Sequence, residues 1–265
     1  MTEKTSDNLQ NAYNEQYVSG MSEWRTIGAR SKAKNILEVC KGRRFERVLD
    51  CGAGEGSLLQ CLSKSDLFES VCAIDISESG ISSLRERSLP QLTEAKTYDG
   101  YKIPYPDNYF DMAYCSHVIE HVEHPRFLLR ELRRVSHLQV LEVPLDYSSY
   151  RYLLNREHAV DNCLKTGHLN VYSPAIFRFL LRSEGFDILE ETLSRTSDEA
   201  LRYNRFEMNS EKKNLRASLE FKTKPLKYAL KRLLFGKDRY DEDCFHAFTC
   251  LTSGNSEIQV LDQVT

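Results

Sequence analysis

Short apolar runs alternate with longer stretches in which apolar residues recur at helical spacing, and this pattern organises the chain from about residue 27 to residue 193. Ile27, Ala33, Ile36, Leu37 and Cys40 fit one face of a helix, preceded by a polar segment carrying Tyr13, Tyr17 and Trp24. Arg47–Asp50 reads as a strand running into a glycine-rich turn, and Leu58, Leu59, Cys61 and Leu62 as the helix that follows. The unit repeats with a strand at Val71–Asp75 and a helix carrying Ile81, Leu84 and Leu89. Further strands are predicted at Glu94–Tyr98, Tyr109–Cys115, Leu138–Val143, Phe186–Leu193 and Cys244–Thr252. Pro125 and Pro174 open helices, because proline's fixed φ suits a first helical position, and Gly185 closes the second of them. Strands alternating with helices imply an α/β fold: a doubly wound, mostly parallel seven-stranded sheet with ligands at its carboxyl edge.

The expected organisation is an N-terminal cap and helix over 1–41 and a core over 42–193 and 243–253, with a basic helical insertion at 194–242 and a tail at 254–265. Within the core, 146–172 interrupts the alternation on the substrate side, carrying Tyr147, Tyr150, Tyr152 and Tyr172 with Arg151 and Arg156. Such long connections are commonly functional. The net charge is −3, yet residues 211–240 hold ten Lys/Arg against three Asp/Glu, so the rest of the chain stands at −10. Lys227–Phe235 reads as a short amphipathic basic helix, and the insertion around it, 222–237, suits phosphate or an anionic membrane surface. Hydrophobic content of 41% and charged content of 28% exclude a disordered or collagen-like chain. The eight cysteines form no CxxC pair, and the polar start offers no signal-type apolar segment. The default expectation is a cytoplasmic protein with reduced thiols and no transmembrane segment.

The strongest chemical signal is Asp50-Cys51-Gly52-Ala53-Gly54-Glu55-Gly56, placed between a strand and a helix. Glycines there let backbone pass close beneath a ligand, and the helix start offers unpaired N–H groups. Asp75 ends the next strand, where a carboxylate can accept from both hydroxyls of a ribose. The even Gly52, Gly54, Gly56 spacing differs from the dinucleotide fingerprint G-x-G-x-x-G. With the acid ahead of it, the segment resembles the first motif of class I S-adenosylmethionine-dependent methyltransferases, and the likeness runs in order over about residues 45–190.

That resemblance implies S-adenosylmethionine as cofactor and S-adenosylhomocysteine as product. It implies that Asp50, Gly52, Ala53 and Gly54 surround the methionine part, Asp75 holds the ribose and Ile76 lies on the adenine. Asp99 and Gly100 would meet the adenine amino group, and Cys115 and Ser116 would line the methionine end. Arg25 is a candidate partner for the cofactor carboxylate.

His117-Val118-Ile119-Glu120-His121 follows the fourth strand. On a helical turn, positions 117, 120 and 121 share a face. His117, His121 and the later His168 are the candidate catalytic residues, as bases that take a proton from an attacking hydroxyl or amine. The segment is also similar to the E-x-x-E-H motif of metal-dependent branches of the superfamily. His117 stands in place of the first glutamate, which removes a hard oxygen ligand and disfavours magnesium. A metal-assisted variant built on His117, Glu120, His121 and His168 would suit manganese, zinc or iron, although the sequence singles out no ligand set. The expected activity is O-methylation of a small sugar, phenol or lipid-linked acceptor. The alternatives are an RNA methyltransferase that grips phosphates through the basic insertion, against which the negative net charge speaks, and an inactive cofactor-binding regulator.

Overall fold

The computed structural model describes residues 22–146, 166–195 and 245–254, together with Leu226, Leu230 and Leu233. Helix α1 (Ser22–Val39) leads into β1 (Phe45–Cys51), α2 (Ser57–Leu62), β2 (Phe68–Asp75), α3 (Glu78–Glu86) and β3 (Leu92–Thr97). Then come β4 (Phe110–Ser116), a 3₁₀ turn at Ile119–His121, α4 (Pro125–Val135) and β5 (Ser136–Pro144). Helix α5 (Pro174–Ser183), β6 (Phe186–Ser194) and β7 (Ala247–Gly254) complete the described elements. The strands form one seven-stranded sheet in the order β3-β2-β1-β4-β5-β7-β6, with β1 to β5 parallel and β7 antiparallel to both neighbours.

Residues fall on alternate faces of each strand, and the burial shows it. Val48, Val71, Ala73 and Met112 pack with Ile36, Leu59, Leu62, Ile81 and Leu84 under α1 to α3. Leu49, Cys72, Ile74 and Ala113 pack with Leu128, Leu129, Leu132, Phe177 and Leu181 under α4 and α5. Central strands covered on both faces must be apolar on both, which is why β2 reads as a continuous run and not as an alternation. In α4 the same logic appears at helical spacing: Leu128, Leu129, Leu132 and Val135 face inward, while Arg130 and Arg134 face outward. Pro125 and Pro174 do occupy helix starts, and Ser173 caps α5 by accepting from the Ile176 amide.

The order reverses at β1, where one crossover runs outward through β2 and β3 and the chain then returns to β4 on the other side. This switch point lies between β1 and β4, and the carboxyl ends of the strands around it are the position at which doubly wound sheets bind ligands.

Candidate active site

The turn after β1 is shaped by glycines in left-handed conformations, with φ of +85° at Gly52, +52° at Gly54 and +82° at Gly56. At Gly52 a side chain is also sterically refused: an added Cβ would lie 2.2 Å from Cγ2 of Val118. The amides of Gly52 and Ala53 donate to the Ile74 carbonyl, tying the turn to β2, and the Gly54 amide donates to Oδ2 of Asp75 at 2.7 Å. The Ser77 amide donates to Oδ1 of Asp75, so this carboxylate is held rigidly at the crevice wall; burial raises its pKa. Asp50 is deeper, with its Oδ2 accepting from the Tyr114 hydroxyl at 2.7 Å, and burial pushes it up to about 7.

Other residues expected at the cofactor have identifiable positions. Asp99 caps its own turn, its Oδ1 accepting from the amides of Tyr101 and Lys102, and Gly100 follows at φ +91°. Cys115 is fully buried, and the hydrogen bond with Cys51 together with burial raises the pKa of its thiol. Ser116 donates to Oε2 of Glu142. Ile76 lies between Asp75 and Ser77 at the mouth. Arg25 is engaged by Glu55 at 3.1 Å, inside the chain's own ion pairs. Tyr172 is buried against Phe177 and does not line an open mouth, because it belongs to the packing under α5. Tyr13, Tyr17, Tyr147, Tyr150, Tyr152, Arg151 and Arg156, the Trp24 side chain and the tail lie outside the described residues. Of the basic insertion, Leu226, Leu230 and Leu233 are helical and exposed.

The histidine cluster differs from the helical turn expected for it. His117 has φ +57° and the helical residues are Ile119–His121 in 3₁₀ form, since α4 starts only at Pro125. The functional groups still converge. Nδ1 of His117 lies 3.5 Å and Nε2 of His121 3.7 Å from Oε1 of Glu120, whose side chain is completely buried. His168 arrives from 51 residues beyond His117 because its segment is clamped to this turn: the amides of Leu169 and Asn170 donate to the Glu120 carbonyl at 2.8 and 2.9 Å, and Asn170 Nδ2 donates to Val122 O. The His121 and His168 rings then meet edge to face, with centroids 4.8 Å apart.

Electrostatics divides these groups. Burial pushes Glu120 up to about 7. Burial lowers His121 to about 4 and His117 well below its ordinary value, with Lys32 adding to both effects. For His168 burial opposes protonation, but Asp146, bonded to its Nδ1, makes the net shift upward. Four contributors were missed in the sequence: Lys32, whose pKa burial lowers despite Glu142, Glu120 and Asp50 nearby, and Asp146, Asn170 and Glu142. The segment Gly167-His168-Leu169-Asn170 was visible as a unit, but nothing local said that Asn170 anchors it.

Residues 49–138 match the family model described as a methyltransferase domain. Ubiquinone/menaquinone biosynthesis C-methyltransferases from Burkholderia multivorans and Paraburkholderia phytofirmans are 36% and 38% identical over 93 residues, 34% of this chain. The match spans 38% of the length of these relatives. Among solved structures, the methyltransferase bound to the Trm112 activator of Haloferax volcanii superposes with a TM-score of 0.66 at 15% identity, covering 96% of this chain and 99% of that one. Geranyl diphosphate methyltransferase with its bound cofactor gives 0.60 at 10% identity and 85% of both chains. These two likenesses bear on the fold. Strand order and glycine turn agree with the methyltransferase-domain match over residues 49–138. Ubiquinone/menaquinone biosynthesis C-methyltransferases are thus among the proteins to which this part of the chain is similar.

Proposed function

We propose that the chain transfers the methyl group of S-adenosylmethionine to an oxygen of a small acceptor, with S-adenosylhomocysteine as product. The observation that carries this reading is the contact of Val118 with Gly52, which sets the histidine turn directly against the glycine turn. Backbone at Gly52, Ala53 and Gly54 with Cys115 and Ser116 would flank the methionine part, Asp75 the ribose, and Ile76, Asp99 and Gly100 the adenine. An acceptor seated beside Ser116 then faces His117, His121 and His168. Attack on a sulfonium needs mainly alignment, because the leaving group is already neutralised by departure. A protonated hydroxyl also needs a proton acceptor, and His117, adjoining Ser116, is the imidazole nearest that end of the cofactor in sequence.

The acceptor class follows from what surrounds the mouth. The tyrosine-rich segment suits a sugar, a phenol or a lipid-linked headgroup, and the basic stretch with exposed Leu226, Leu230 and Leu233 suits an anionic acceptor or membrane surface. The relatives' names describe C-methylation of quinone precursors, so a carbon nucleophile activated by a neighbouring phenol is the second reading.

Calorimetric titration with S-adenosylhomocysteine tests the cofactor reading. One-to-one saturation is expected, and Asp75→Ala should abolish it while leaving the far-ultraviolet circular dichroism intact. Retention of micromolar binding by that variant would overturn the assignment of Asp75. Cofactor binding without turnover on any phenol, sugar or quinol pool would favour a regulatory protein, and turnover on RNA with steep salt dependence would replace the small acceptor.

A further inference from the structure

We propose that the segment carrying Leu226, Leu230 and Leu233 docks in plane on an anionic membrane surface and brings the carboxyl edge of the sheet against it. The acceptor is then a headgroup carried on a membrane lipid. That last step rests on the methyl-transfer reading, whereas the docking does not.

Leu226, Leu230 and Leu233 are helical, and they are 74%, 55% and 83% exposed. Spacings of four and three residues place them within about 60° of one another on a helix that turns about 100° per residue, so they form one stripe. Leucines scattered singly on a surface are ordinary, but an aligned set left in water marks a contact. The surrounding sequence supplies the charge. Residues 222–237 hold six Lys/Arg and no Asp/Glu. By the same period, Lys227 and Lys231 fall to one side of the leucines and Arg232 to the other.

Leucines between cations suit the headgroup region, where the apolar side enters the acyl boundary and the long cationic chains reach the lipid phosphates. A nucleic acid would engage the cations and leave the leucines in water. Length decides between lying on the bilayer and crossing it. Only ten residues separate Pro225 from Gly236, and ten residues of helix measure about 15 Å against a hydrocarbon core of about 30 Å. Among the described residues no helix is long and apolar enough to cross a membrane.

The attachment of this segment gives the docking a direction. It lies between β6 and β7, whose paired ends Ser194 and Ala247 adjoin Pro144, the last residue of β5. Because β5 is parallel to β4, this is the carboxyl edge. The His246 amide donates to the Ser194 carbonyl at 2.7 Å and the Leu145 amide to the His246 carbonyl at 2.8 Å, which fixes the return of the chain there. The His246 ring centroid lies 6.5 Å from that of His117. His246 follows Leu233 by 13 residues, a reach of at most about 45 Å. The rim of the same edge is apolar as well. Leu169, beside His168 and bonded through its amide to the Glu120 carbonyl, is 59% exposed, and Phe127 and Ile176 are exposed in the first turns of α4 and α5. A bilayer that holds the leucine stripe therefore meets this rim next to the imidazoles that face the acceptor, and a lipid-linked headgroup reaches them without leaving the membrane.

The test is co-sedimentation of the full chain with vesicles of phosphatidylcholine, alone or with about 30% phosphatidylglycerol, at about 0.1 M salt. Binding to the anionic vesicles is expected to be at least tenfold tighter than to the neutral ones. It should weaken at least tenfold in Leu226→Gln/Leu230→Gln/Leu233→Gln and in Lys227→Gln/Lys231→Gln/Arg232→Gln, and to a smaller extent in Leu169→Gln. Circular dichroism verifies folding, and titration with S-adenosylhomocysteine should give the parent's affinity in both triple variants. Equal binding to the two kinds of vesicle, or full retention by the leucine variant, would overturn the docking. Full retention by Leu169→Gln would overturn its direction. Tighter binding to a single-stranded RNA than to anionic vesicles, or a parent dimer that the leucine variant dissociates, would give the stripe to another partner and overturn the proposal. Vesicle binding without S-adenosylhomocysteine binding would remove the methyl-transfer reading and leave the docking standing; the opposite result would remove the docking alone.

Discussion

Glu142, in β5, and Glu120, in the turn after β4, are both completely shielded from solvent at neighbouring strand ends, yet their surroundings are opposite. Glu142 accepts from Asn35 of α1 at 2.7 Å, from Ser116 of β4 and from Thr249 of β7 at 3.0 Å. Among the described residues, no other side chain donates a hydrogen bond to either oxygen of Glu120. One carboxylate ties three elements together, and the other faces the imidazoles of His117 and His121 at 3.5 and 3.7 Å. Burial by itself therefore says little about a carboxylate's role, and its donors decide.

The largest effect expected from breaking this contrast is at Glu142. Glu142→Leu strips Asn35, Ser116 and Thr249 of a shared acceptor and should cost about 3–5 kcal/mol. Urea denaturation reads it directly, and a loss below about 1 kcal/mol would mean the network is not what joins α1 to the sheet.

Next is the contact that joins the two ends of the site. Gly52→Ala places a Cβ on Val118 and imposes φ +85° on an L residue, for an expected loss of about 2–4 kcal/mol together with cofactor binding. Adding Val118→Ala should restore the steric part but not the backbone part. Full recovery in the double variant would show that the backbone conformation carries no strain.

Asp50 lies between the extremes, with a single side-chain donor in Tyr114 and a pKa of about 7. An unfolded aspartate titrates near about 3.9, so between pH 4 and 7 the folded chain holds a proton that the unfolded chain has lost. Stability contributed by Asp50 therefore falls as pH rises, by about 2 kcal/mol from pH 5 to pH 7. Asp50→Asn keeps an acceptor for Tyr114 and should flatten the profile by that amount. Glu120 shifts in the same direction, so the test is the difference between variant and parent across the range. Parallel profiles would sink it.

The same contrast governs what could be read from the sequence. Asp50, the glycines and Asp75 lie within 26 residues, and strand–turn–strand geometry alone brings them together. The sheet was legible for the same reason: central strands were continuous apolar runs, and prolines marked two helix starts. The surroundings of Glu120 have no such local rule. Gly167 and His168 reach it through the amides of Leu169 and Asn170, the Asn170 side chain and the bond of His121 to the Gly167 carbonyl, a tertiary clamp with no period in the sequence. The helical face predicted for 117, 120 and 121 failed because Pro125 delays the helix and His117 takes a left-handed conformation. Lys32 sat in a helix whose apolar face was obvious, and reads there as one more polar residue until β5 supplies Glu142 opposite.

The smallest expected effect has the sharpest sign. Glu120→Gln exchanges a buried carboxylate that takes no hydrogen bond from another described side chain for a neutral amide that can donate to Nε2 of His121. Removing a desolvated charge without breaking a bond should stabilise the fold by about 1–2 kcal/mol, whereas the matching Glu142→Gln exchange should destabilise it. Melting curves of the parent and both variants resolve the sign. A Glu120→Gln variant less stable than its parent would show that the chain already satisfies this carboxylate, and the contrast with Glu142 would collapse.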